Sequence, residues 1–252
     1  MTLEKIASSR QPPTVFVRCV VHGVISFAYV YTFYTGVAVD FSVINLPTIN
    51  KLEIYMKYML TLWTLFMVTG FFIITTLLDF FEILPQPAFI KKLLYKCREI
   101  INLLFMSIVL PIAMCVSSGF WSAWMLNSKN IYPEEMNNYV PAWINHMAHT
   151  MPIFICLFEL LFSFHKTPKL KHSLVCLLSF NTMYMLTLVT LRIRDGRWIY
   201  FIIDIYVNTI FKVIIMFSFL SYIIPVMYLI GCRKLNNNYW GIKNPSETVS
   251  KK

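Results

Sequence analysis

The chain has 252 residues, of which 58% are apolar and only 13% charged, and its 22 Lys and Arg against 12 Asp and Glu give a net charge of +10. A water-soluble domain carries about 25% charged residues, so this composition excludes an ordinary globular enzyme and points to an integral membrane protein. With only 7 glycines the chain is not collagen-like or low-complexity either.

A membrane-spanning helix needs about 20 mostly apolar residues. Six such runs are predicted: 14–36, 54–78, 100–125, 143–164, 173–191 and 209–231. The first run is too long for the apolar core of a signal peptide and has no small-residue cleavage site, so it is expected to stay as a helix. Between the runs lie turn-forming clusters such as LPQP at 84–87, NSKN at 127–130 and HKTPK at 165–169. The stretch 198–206 is apolar but short, and reads as a surface or re-entrant helix. The expected fold is therefore all-α, a bundle of six transmembrane helices. Residues 1–13 form an N-terminal segment, 14–231 the membrane domain and 232–252 a C-terminal tail.

Basic residues orient the bundle, because cytoplasmic loops are enriched in Lys and Arg. The two termini and the 79–99 and 165–172 loops hold 14 of them, and the opposite loops hold 5. Both termini are accordingly expected on the cytoplasmic side. The positive charge then serves orientation and attraction to anionic lipid, not nucleic-acid binding. None of the six cysteines falls in a predicted outer loop, so free thiols are expected rather than a disulfide framework.

Ionisable groups inside the spans are costly and call for partners. Arg18 and Glu159 lie at similar depth near the inner face and are expected to pair. His22 reads as an isolated, hydrogen-bonded packing residue. The fourth run carries Asn145, His146 and His149, which share one helix face by their spacing, and Pro152 should kink the helix by freeing the Ala148 carbonyl. Such a face suits a polar cavity with an ionisable imidazole. It equally suits two histidines bonded to neighbouring helices. A zinc site would need a second ligand pair, and none is visible. On the second run Thr61 lies about 10 Å below the outer end, and His149 about 9 Å below the start of the fourth, so the two share a depth.

The run IYPEEMNNYVPAWINHMAH at 131–149 resembles the signature of the androgen-induced protein and androgen-dependent TFPI-regulating protein family. KYMLTL at 57–62, GRWIY at 196–200 and YLIGCRKLNNNYWG at 228–241 resemble further blocks of that family, in the same order. The resemblance implies a transmembrane threonine hydrolase of fatty acid esters of hydroxy fatty acids, with Thr61 as nucleophile and His149 as its base. By their place beside His149, Asn145 or His146 can orient it or stabilise an oxyanion; the resemblance offers Asp204 as a third member, against its reading as a plain loop residue. No metal or cofactor is expected, and the lipid ester is expected to enter from the bilayer, in the endoplasmic reticulum or plasma membrane. Two positions depart from the pattern: Thr64 stands where the family is often acidic or amide-bearing, and Cys232 where it has Glu. An extra residue before Thr61 leaves Thr64 as a second candidate nucleophile. The competing reading is a non-catalytic membrane protein that binds a lipid or regulates a partner.

The topology is open to test. Tags at either terminus should be reachable from the cytosol without permeabilising internal membranes, and one placed in 126–142 should not. Termini on opposite sides would refute an even number of spans.

Overall fold

The structure is a computed structural model that describes residues 11–39, 54–131, 134–196, 198–200 and 219–242. Its regular elements are helices: α1 (Val15–Val37), α2 (Leu60–Ile83), α3 (Ala88–Leu104), α4 (Leu110–Ile131), α5 (Ala142–His149), α6 (Met151–Phe162), α7 (Leu170–Asp195) and α8 (Ile224–Trp240). Among the described residues, α1, α2, the continuous α3–α4 run and α7 are each long and apolar enough to cross a membrane, and the α5–α6 pair, bent by 46°, makes a fifth crossing if counted as one. Residues 209–218 of the sixth predicted run lie outside the described ones, as does most of 198–206, and 219–231 are helical, a π turn running into α8.

On α1, Phe16, Val20, Val24, Phe27 and Tyr31 face outward, while His22, Ser26 and Thr32 are buried. Lipid solvates the first set, and the second must find partners within the bundle. Small side chains let α1 approach α2 closely. A Cβ on Gly23 would lie 3.7 Å from Thr76, and Ser26 Oγ is 3.2 Å from Thr76 Oγ1. Behind them sits an aromatic core in which Phe71 stacks on Phe105 at 4.4 Å.

Prolines shape the remaining helices. Pro111 and Pro225 each follow a widened π turn, Phe105–Val109 and Phe219–Ile223. A proline lacks the N–H that would bond the carbonyl four residues back, and its ring needs room there. At Pro225 the carbonyl thus released, that of Ser221, accepts a hydrogen bond from Asn181 Nδ2. Pro152 stands in the first turn of α6, just past the bend, as its spacing predicts.

Several expectations are corrected. The second helix starts at Leu60, not 54, because Met59 is extended (ψ 138°) and forms its N-cap. The charged stretch expected as a loop at 79–99 is helical except around 84–87. Its Lys91, Lys92 and Lys96 are all exposed, and Phe89, Leu93 and Ile100 are exposed with them. The last helix runs through Gly231 to Trp240, so the first residues of the expected tail are structured: Asn236 donates to the His165 carbonyl at 2.8 Å and Trp240 to that of Leu160 at 3.2 Å. The six cysteines are free thiols.

The expected Arg18–Glu159 pair does not form. Arg18 bonds Asp79 at 2.9 Å and Glu82 at 3.4 Å, and Arg98 joins the same two carboxylates at 2.8 and 2.6 Å. Glu159 instead lies between His22 Nε2 at 3.0 Å and His165 Nε2 at 3.1 Å. His22 is thus not isolated, for its Nδ1 reaches Asp79 at 2.7 Å. Equal depth fixed the height of Arg18 and Glu159 but not the direction in which each points. His22, one turn beyond Arg18, occupies the direction toward Glu159.

Asp79 and Glu159 are 0% and 1% exposed, and unpaired buried carboxylates are strongly unfavourable. His22→Ala removes the bridge between them, leaving Glu159 on His165 alone and Asp79 on its two arginines, and should lower stability by about 1–3 kcal/mol. Arg18→Gln should destabilise less, because Asp79 keeps Arg98 and His22. Unfolding in detergent measures both, and a His22→Ala protein as stable as the parent would refute the bridge.

Candidate functional site

The first turn of α2 meets the end of α5, where the chain bends before α6. Thr61 is the second residue of α2, and His149 is the last of α5. Thr61 Oγ1 lies 3.3 Å from His149 Nε2. His149 Nδ1 lies 2.8 Å from Asn145 Oδ1 and 3.1 Å from the Asn145 backbone carbonyl. Both of those oxygens can only accept, so Nδ1 carries the ring proton. Nε2 then presents its lone pair, and the Thr61 hydroxyl donates to it. The chain of hydrogen bonds therefore has one polarity, from Thr61 through His149 to Asn145.

Helix spacing produces this order. Asn145 and His149 are one turn apart on α5, so the amide reaches the ring from below. Phe120 of α4 stacks on the imidazole, with centroids 3.7 Å apart and planes 17° apart, and holds its plane. Thr61 and His149 are both partly exposed, so the pair is not sealed inside the core.

The other residues singled out from the sequence have separate fates. His146 turns away from this chain toward α4, where its Nδ1 is 3.0 Å from Thr150 Oγ1 and its ring stacks on Trp121 at 5.7 Å. Trp121 Nε1 donates to the same hydroxyl at 3.2 Å, so Thr150 links the two rings. Thr64 is fully buried, and its hydroxyl donates to the Leu60 carbonyl at 2.8 Å. It bonds its own helix rather than a base. Asp204 lies outside the described residues.

Sequence reasoning missed Phe120, which no motif marked. It also left GRWIY without a role beyond resemblance. In the structure Tyr200, the last residue of that block, accepts a hydrogen bond from the Leu60 amide at 3.1 Å, immediately before Thr61.

Fold and site together define a polytopic helical membrane protein with a threonine–histidine–asparagine chain near one end of its bundle. The match to the family model described as FAR-17a/AIG1-like protein covers residues 24–237, and the chain belongs to that family. It is 31% identical to the human androgen-dependent TFPI-regulating protein over 73% of this chain and 77% of the relative. Against the mouse protein of that name it is 31% identical, the match spanning 56% of this chain and only 60% of the relative. With the human androgen-induced gene 1 protein it shares 24% identity over 87% of this chain and 92% of the relative. No solved structure matches the chain.

Replacing Asn145 tests the orienting hydrogen bond. Asn145→Ala leaves the backbone carbonyl as the acceptor for His149 Nδ1 and should loosen the ring. Its Nε2-bound proton population, read by nitrogen-15 NMR of labelled histidine, should rise. An unchanged tautomer would show that the carbonyl and Phe120 suffice.

Proposed function

We propose that this chain is an intramembrane esterase that hydrolyses fatty acid esters of hydroxy fatty acids, with Thr61 as nucleophile and His149 as general base. The observation that carries this reading is the one-directional chain Thr61–His149–Asn145. A threonine hydroxyl attacks carbonyls poorly unless a base takes its proton as it moves, and Nε2 faces it with a free lone pair.

The chemistry then runs in two halves. Thr61 Oγ1 bonds to the ester carbonyl carbon as its proton passes to His149 Nε2. The tetrahedral adduct collapses, the hydroxy fatty acid leaves, and His149 returns the proton to the departing oxygen. A water gives its proton to His149 and attacks the acyl carbon; the bond to Thr61 Oγ1 breaks, His149 returns the proton to that oxygen and the fatty acid is released. The developing oxyanion needs donors. The Thr61 amide sits in the first turn of α2, where a helix leaves N–H groups without carbonyl partners and its dipole favours negative charge. The Asn145 amide nitrogen keeps its protons, since only Oδ1 is used on His149.

The site's partial exposure near one end of the bundle suits a branched lipid arriving from the bilayer with its carboxylate at the headgroups. Six spans with both termini in the cytoplasm would place it toward the outer side, in the endoplasmic reticulum or plasma membrane.

Purified protein and a panel of lipid esters provide the test. Thr61→Ala and His149→Ala should each abolish cleavage, and the double variant should be little worse than either, because the two act as one unit. Thr61→Ser keeps the hydroxyl and should keep turnover. Thr64→Val should stay active, and His146→Ala should slow the reaction less than His149→Ala. Full turnover by folded Thr61→Ala would remove Thr61 from the mechanism. No turnover of any ester by the parent, with lipid still bound, would favour a lipid-binding role.

A further inference from the structure

The start of α2 lacks the cap that such a helix end ordinarily has. Its N-cap residue, Met59, makes no side-chain hydrogen bond, and the first amides of a helix have no carbonyl partner of their own. The deficit is met from α7 and the segment after it. Tyr200 Oη accepts from the Leu60 N–H at 3.1 Å and lies 2.5 Å from Tyr184 Oη. Tyr184 is 5% exposed and meets the edge of Trp63, with centroids 5.3 Å apart. Trp63 Nε1 in turn donates to the Lys57 carbonyl at 3.1 Å, closing the turn that leads into the helix.

Tyr200 is delivered there by a particular backbone. α7 ends at Gly196, whose φ of 72° is left-handed and favours glycine, and whose N–H bonds the Arg192 carbonyl at 3.0 Å. The chain then doubles back. The Arg192 guanidinium lies 5.9 Å from the Trp198 ring centroid, and Ile199 is buried beside Leu188 and Leu191. This gives the GRWIY block a physical role: a turn, two anchors and a hydroxyl.

We infer that Tyr200, braced by Tyr184, is a positioning residue for Thr61, fixing the first turn of α2 so that the threonine hydroxyl stays within reach of His149. The inference rests on the reading of Thr61 as nucleophile. Thr61 follows the tethered amide directly, so fraying of this turn moves it before any other part of α2. The Thr61–His149 distance of 3.3 Å is already long for a hydrogen bond from a hydroxyl, which leaves little tolerance for drift. Neither tyrosine hydroxyl belongs to the Thr61–His149–Asn145 chain, so their effect is on placement.

The test uses the full chain in lipid nanodiscs, with Tyr200→Phe and Tyr184→Phe. A fluorophosphonate reports on Thr61: an Oγ1–P bond forms, fluoride leaves and the threonine proton passes to His149. Tyr200→Phe should slow labelling by about ten- to a hundredfold, the scale of a displacement of about 1 Å, with the final labelled fraction unchanged. Amide exchange should speed up in peptides covering 57–63 and nowhere else. Tyr184→Phe should act in the same direction and less, since Leu60 keeps its acceptor. An unchanged labelling rate in Tyr200→Phe overturns the positioning role while the nucleophile stands. A loss of labelled fraction, with faster exchange throughout α2 and α7, overturns it in favour of a structural prop. A parent that is never labelled on Thr61 removes the nucleophile and the positioning role with it. In that case the exchange pattern still reports separately whether Tyr200 holds the helix start.

Discussion

Two carboxylates buried in an apolar bundle, Asp79 and Glu159, are the constraint around which the helices are arranged. Lipid tails are as apolar as leucine, so burial of hydrocarbon alone does little to choose which face of a membrane helix meets its neighbour. An ionised group has no such latitude, because it must point at a partner. His22 on α1 stands between Asp79 on α2 and Glu159 on α6, and His165 and Arg98 extend the cluster to the following loop and to α3. Asn102 completes it, taking His165 at 3.0 Å and donating to the Lys166 carbonyl at 2.6 Å. The rotation of α1, α2, α3 and α6 about their axes is thereby set at one end of the bundle. These helices are rigid rods, so the setting carries along α2 to Thr61, eighteen residues or about 27 Å away.

The same residue type serves opposite purposes at the two ends. At His22 both ring nitrogens face carboxylates, so the ring is fully engaged and acts as a clamp. At His149 one nitrogen is bound to Asn145 and the other meets only a threonine hydroxyl. What separates clamp from candidate base is the chemistry of the second partner. A carboxylate holds the ring in place, whereas a hydroxyl gives it a proton to accept. The charged cluster therefore explains the architecture, and the nearly neutral chain at the far end is where reaction chemistry is to be sought.

Much of this was legible in the sequence because it depends on local spacing. Apolar runs gave the helices, Pro152 gave the bend, and the spacing of Asn145 and His149 gave the orienting pair. The height of Thr61 relative to His149 was also readable, though through a helix start six residues too early. The true meeting is between the first turn of α2 and the last residue of α5, since Met59 is extended. Rotation and distance along the chain were not legible. His22 looked isolated because its partners are 57 and 137 residues away, and Arg18 was paired by depth with the wrong carboxylate. Residues 232–252 count as a tail by their polarity, yet Asn236 is buried and bonds the loop carrying His165. Polarity alone does not distinguish a solvated segment from one whose amides satisfy buried carbonyls.

The bend at Thr150 ties these levels together. An unbroken helix through 142–162 would carry its backbone straight past the start of α2. Pro152 cannot donate to the Ala148 carbonyl, and the chain turns by 46° there, so α5 ends at His149 and presents that side chain at a corner. Thr150, the corner residue, is itself held by Trp121 of α4, the neighbour of the Phe120 that stacks on His149. One short aromatic pair thus fixes both the corner and the ring mounted on it. Glu159, farther along α6, is fixed by His22 and His165. The bent pair is anchored on both sides of its break, and its angle is set by polar partners as much as by proline. A threonine in the first turn of a tethered helix and a histidine at the corner of an anchored bend are each held by backbone that has little freedom to move. That makes the separation of the two side chains a property of the whole bundle.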